Sequence, residues 1–103
     1  MKTNRPHTQR QEQQHEKALY TAILALRSVE ECRSFFRDLC TPAELQSMAD
    51  RWAVVELLEH NLPYREIHRQ TGVSVTTIGR VARCLTLGHG GYRSIADKLK
   101  LHA

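Results

Sequence analysis

Four apolar residues around one glycine constrain this chain more than anything else in it. Ile67 lies five positions before Gly72, Val73 follows it directly, and Ile78 and Val81 lie six and nine positions beyond it. With this spacing two short helices can each turn one apolar face inward across a tight turn. Gly72 supplies the positive φ that such a reversal demands. Residues 63–85, PYREIHRQTGVSVTTIGRVARCL, are therefore expected to form a helix-turn-helix. Its outward positions hold Arg65, Arg69, Thr76, Thr77, Arg80 and Arg83, with Glu66 the single acid. Guanidinium groups neutralise phosphates and fork onto guanine edges, so this surface suits the reading of double-stranded DNA.

Helical signals fill the rest of the chain. From about Gln13 to Leu26 the residues Ala18, Leu19, Ala22, Ile23, Ala25 and Leu26 recur at helical spacing. Ser28 with Glu31 forms a capping box opening a helix over 29–39, with Val29, Cys32, Phe35, Phe36 and Leu39 inside. Thr41-Pro42-Ala43-Glu44 is the clearest start: Thr41 caps, Pro42 needs no N–H at the first position, and Glu44 reaches back to the cap. That helix is expected to turn Leu45, Met48, Ala49, Trp52, Val55, Leu57 and Leu58 inward and to end near His60-Asn61. Gly88, Gly90 and Gly91 then break the chain before a last helix over 92–101, with Tyr92, Ile95, Leu99 and Ala96 inside. No stretch reads as a strand, so the expected fold is all-α with six helices. Residues 1–11 are polar, contain Pro6 and read as a disordered basic arm. Residues 12–103 read as one helical domain.

Charge sorts along the chain. Of the net +4, residues 1–27 carry +3, residues 28–60 carry −4, residues 61–91 carry +3 and residues 92–103 carry +2. Positive charge thus sits on the helix-turn-helix while the middle is acidic, the pattern of a nucleic-acid binder. Cys32, Cys40 and Cys84 form no CxxC pair and are odd in number, which reads as reduced thiols packed as small apolar groups in a cytoplasmic protein. No apolar run is long enough for a membrane span, and the N-terminus lacks the apolar core of a signal peptide. The six histidines have no metal-binding spacing. No nucleophile has a placed base, no carboxylate pair is set by spacing, and there is no phosphate loop, so an enzyme is not expected. The competing reading is a helical protein–protein interaction module whose basic charge is incidental.

Residues 39–85 resemble the bacterial tryptophan-repressor superfamily through Thr41-Pro42-x-Glu44, Arg51, Val54-Val55-Glu56-Leu57-Leu58, Arg65-Glu66, Gly72 and Thr76-Thr77-Ile78-Gly79-Arg80. The flanks, Val29-Glu30-Glu31-Cys32, Phe35-Phe36-x-Asp38-Leu39-Cys40, Arg80-Val81-x-Arg83-Cys84-Leu85 and Gly90-Gly91-Tyr92, look like its YerC/YecD-type TrpR-related branch. The resemblance implies an intertwined all-helical homodimer, with two reading helices on the order of 34 Å apart on a near-palindromic operator. It implies a bacterial transcriptional regulator, most often a repressor. Carried across by position, it puts Arg65 at the major groove, Val75, Thr76 and Gly79 at the base-facing start of the reading helix, and Tyr64 and His68 at the backbone. Thr77, Arg69, Arg80 and Arg83 are expected to support these contacts. It also implies a corepressor pocket at Thr41, Arg51, Arg80, Val81 and Cys84, for L-tryptophan or another small effector. Val81 and Cys84 depart there from the repressor's glycine and serine, and the valine crowds the space of an indole. Without a ligand, Arg51 is expected to pair with Asp50 or Glu44.

Overall fold

The computed structural model describes residues 8–101, and these hold six helices and no strand: α1 (Gln9–Leu24), α2 (Val29–Leu39), α3 (Pro42–Glu59), α4 (Tyr64–Thr71), α5 (Val75–Leu87) and α6 (Gly91–Lys98). The chain divides into two compact units, Met1–Cys40 and Thr41–Ala103.

The core belongs to the second unit. Val54, Val55, Ile67, Val73, Ile78 and Val81 are buried together, with Trp52, Leu57, Leu58, Leu62, Leu85 and Tyr92 packed around them. Each such aliphatic side chain contributes about 1.5–3 kcal/mol by leaving water. α3 packs against α4, α5 and α6, and α5 against α4 and α6, so α3 is the post on which the helix-turn-helix stands. Local chemistry fixes its ends. At the start of α3, Thr41 Oγ1 accepts from the Glu44 N–H at 3.1 Å and the Thr41 N–H donates to Glu44 Oε1 at 2.8 Å. At its end Asn61 takes φ 61°, and the Leu62 N–H reaches back to the Leu57 carbonyl at 3.3 Å, satisfying a carbonyl the helix leaves open. Asparagine is among the few residues with a side chain that adopt this backbone readily.

α6 is tied to α3 twice. Arg93 Nη1 and Nη2 donate to the Glu59 carboxylate at 2.6 and 3.1 Å, and the rings of Trp52 and Tyr92 lie 6.2 Å apart, tilted by 48°.

The first unit is different. Neither α1 nor α2 contains a buried residue. Phe35 and Phe36 meet edge to face with centroids 5.5 Å apart, while Leu24 (85% exposed) and Val29 (70%) stand in solvent.

Several expectations change. The disordered arm expected over 1–11 lies partly outside the described residues, but Thr8 to Gln11 are the capped start of α1. Thr8 Oγ1 accepts from the Gln11 N–H at 3.1 Å and Gln11 Oε1 accepts from the Thr8 N–H at 3.0 Å, so a polar capping box opens the helix before its apolar pattern begins. Val29 and Leu39 on α2, Ile95 on α6 and Leu99 just after it are exposed rather than inward, because no described element of their own unit covers them. Ala49 is exposed, and Val54, not among the expected inward residues, is fully buried. Cys32 and Cys40 are half-buried and Cys84 is exposed, so none is a fully packed apolar group.

Candidate nucleic-acid interface

α4, the turn and α5 form the helix-turn-helix. Gly72 ends α4 at φ 75°, and its N–H bonds the His68 carbonyl at 2.8 Å. Two α4 side chains then hold Val73. Thr71 Oγ1 donates to the Ile67 carbonyl at 2.7 Å and accepts from the Val73 N–H at 3.0 Å. His68 Nδ1 bonds the Val73 carbonyl at 2.7 Å. The backbone of a buried residue thus has both its polar groups satisfied within the turn. Ser74 caps α5, accepting from the Thr77 N–H at 3.1 Å.

Ile67, Ile78 and Val81 face the core. The opposite faces leave Arg65, Val75, Thr76, Arg80 and Arg83 exposed. Among the described residues Arg65, Arg80 and Arg83 make no ion pair, and their charges remain available. Arg69 is engaged. Its Nε donates to Glu66 Oε1 at 3.0 Å and its Nη2 to Glu66 Oε2, while Gln70 Nε2 adds a bond of 2.8 Å. The Arg69 hydrogen bonds, with help from Gln70, pull the Glu66 carboxyl down to about 2. Tyr64 lies alongside α5: a Cβ at Gly79 would sit 3.9 Å from Tyr64 Cε2, an ordinary contact, so space does not require glycine there. Thr77 is half-buried, and its hydroxyl accepts from Ser74 Oγ at 3.1 Å.

Beside the motif, Arg51, Thr77, Arg80, Val81, Cys84 and Tyr92 line a cleft of about 340 Å³. It brings together Arg51, Arg80, Val81 and Cys84 of the expected ligand residues. Thr41 is not among its walls, being committed to the α3 cap. Arg51 forms no ion pair with either expected partner; Asp50 accepts from Gln46 at 2.8 Å and Glu44 closes the capping box. Tyr92 is a wall that spacing did not reveal, since it arrives from α6.

This motif on this all-helical scaffold is matched by known proteins. Residues 14–100 match the family described as Trp repressor protein. The chain belongs to that family. It is 44% identical over 82 residues to the uncharacterized protein YerC of Bacillus subtilis (strain 168), covering 80% of this chain and 79% of that one. Among solved structures it is similar to a TrpR-like protein from Eubacterium eligens ATCC 27750, with TM-score 0.82 and 36% identity over 87% of this chain and 93% of that one. A candidate Trp repressor from Staphylococcus aureus superposes with TM-score 0.83 and 34% identity, over 94% of this chain and 99% of that one. The six-helix Trp-repressor-like fold is thereby established, and family membership accords with a DNA-binding regulator rather than an enzyme. No helix among the described residues is long and apolar enough to cross a membrane.

Proposed function

We propose that the protein is a sequence-specific DNA-binding transcriptional regulator, a repressor acting as a cytoplasmic homodimer on a near-palindromic operator. The observation that carries this is the clasped turn at Gly72. It presents the exposed Arg65, Val75 and Thr76 beside two unpaired arginines, Arg80 and Arg83, while Ile67, Ile78 and Val81 anchor the motif to the body. In this reading α5 enters the major groove, Arg65 forks onto a guanine or phosphate, and Val75 with the Thr76 methyl meets thymine methyls. Tyr64, His68, Thr77, Gly79, Arg80 and Arg83 flank these contacts, and Arg69 adds less because Glu66 holds it. Gly79 offers no side-chain contact of its own, which shifts the preferred operator sequence. The dimer is supported by the uncovered apolar residues of α1, α2 and α6, which a second copy would bury.

The Arg51–Arg80 cleft supports gating by a small anionic effector. Two guanidiniums without acidic partners suit a carboxylate, while the isopropyl group of Val81 and the ring of Tyr92 stand among the walls and narrow the room for an indole. A compact carboxylate other than L-tryptophan fits these walls better.

Fluorescence-anisotropy titration against pooled random duplexes at low salt, followed by selection of bound sequences with and without amino acids, tests the reading. Binding that weakens steeply with salt and enriches a two-fold symmetric site is expected. Absence of binding to any duplex would favour a protein–protein interaction module instead.

A further inference from the structure

The bond between His68 and Val73 does more than close the turn. A carbonyl oxygen only accepts, so Nδ1 of His68 carries the hydrogen at 2.7 Å and the other ring nitrogen, Nε2, is left as an acceptor in the neutral ring. His68 is exposed as a residue although this bond is half-buried, so the clasp takes the inner edge of the ring. Tyr64 and His68 are four residues apart on one side of α4, and the Tyr64 ring lies against Gly79, so that side runs beside the start of α5.

We propose that His68 is a proton-gated phosphate contact; this rests on the DNA-binding reading above. In the neutral ring Nε2 offers a lone pair, which repels a phosphate oxygen. On protonation Nε2 becomes a charged donor to that oxygen, while the Nδ1–H bond to Val73 persists in both states. The proton is taken up together with the DNA, because the phosphate supplies the counter-charge.

The charges around the ring fit this role. On α4, Arg65 lies one turn earlier, Arg69 follows His68 directly, and Glu66 is bonded to Arg69. The turn and the start of α5, residues 72–79, contain no titratable group, and the first is Arg80. α3, against which α4 packs through Ile67, ends with Glu56, Glu59 and His60, and Glu59 is bonded to Arg93. None of these carboxylates forms an ion pair with His68, so a DNA phosphate is the acid the ring can meet.

The test is anisotropy titration of random duplexes at fixed low ionic strength, at about pH 8 and about pH 5.5. The wild-type protein is expected to gain on the order of tenfold in affinity at the lower pH. His68→Asn keeps a donor, Nδ2–H, for the Val73 carbonyl but has no second ring nitrogen, so it should gain clearly less than the wild type between the two pH values. The other histidines remain in that variant, so their common effect cancels. Equal pH responses in the two proteins would overturn the proposal. Failure of the wild-type protein to bind at either pH would instead overturn the DNA-binding reading. Should His68→Asn not fold, the His68 ring Cε1–H resonance of the wild-type protein serves. Its titration should move to higher pH when duplex is present, and an unmoved midpoint refutes the gate.

Discussion

Nothing lies within 4 Å of where a Cβ would stand on Gly72, so the obstacle to a side chain there is conformational, not steric. At φ 75° an alanine pays for the left-handed region, and Gly72→Ala should lower stability by about 1–2 kcal/mol in urea unfolding. Six residues away the effect is electrostatic. The Glu66 carboxyl is lowered to about 2 from 4.5 by Arg69 and Gln70, so the stability it lends is present above the unfolded value and is lost as pH falls from there toward about 2. A side-chain carboxyl titration by NMR should place its midpoint well below the ordinary glutamate value of 4.5. Glu66→Gln frees Arg69, and the salt dependence of binding to random duplexes should steepen by about one counterion per subunit. If the slope is unchanged, Arg69 does not reach phosphate. Gly72 was legible from spacing, but the His68 clasp was not. A side-chain bond to the backbone depends on rotamers and on where the turn places a carbonyl, and neither is encoded in periodicity.

Helix starts were readable because a capping box is a local chemical device. At α2 only half of the expected box forms: Ser28 accepts from the Glu31 N–H, but the Glu31 carboxylate accepts from the Arg27 N–H instead of that of Ser28. Thr41 and Glu44 behave as their spacing foretells, and Thr41→Ala should cost about 0.5–2 kcal/mol by chemical denaturation. The box at Thr8 and Gln11 escaped notice because it opens a stretch of polar residues with no apolar repeat to draw attention to it. The helix-turn-helix core was equally plain, since Ile67, Ile78 and Val81 all lie in it. Ile78→Ala should destabilise by about 2–5 kcal/mol and loosen the seat of α5 together with DNA affinity. α6 was the hardest to read. Its apolar residues predict an inward face containing Ile95 and Leu99, yet those two are exposed and only Ala96 is buried. Periodicity reports that a face is apolar; it does not report which chain covers it.

At the scale of the molecule, a core confined to the second unit contrasts with α1 and α2, which bury none of their residues. This accords with the proposed homodimer, in which a second copy would bury that apolar surface. Sedimentation equilibrium should give a dimer at micromolar concentration, and Leu24→Glu with Val29→Glu should shift it toward monomer. A monomer in the wild-type protein at every concentration would remove the two-fold operator from the proposal. The lining of the Arg51–Arg80 cleft was the least legible feature, because Tyr92 reaches it from a helix that begins 11 positions after Arg80.

The end of α5 carries one more consequence. A Cβ on Gly88 would come within 2.5 Å of the Cys84 carbonyl oxygen, so no other residue is accommodated there without unwinding the last turn. Gly91 and Tyr92 follow almost at once, so a missense change at that codon would displace a wall of the cleft while leaving the exposed side chains at the start of α5 intact. If the proposed function holds, such an allele should bind duplex as the wild type does and yet respond differently to a small carboxylate.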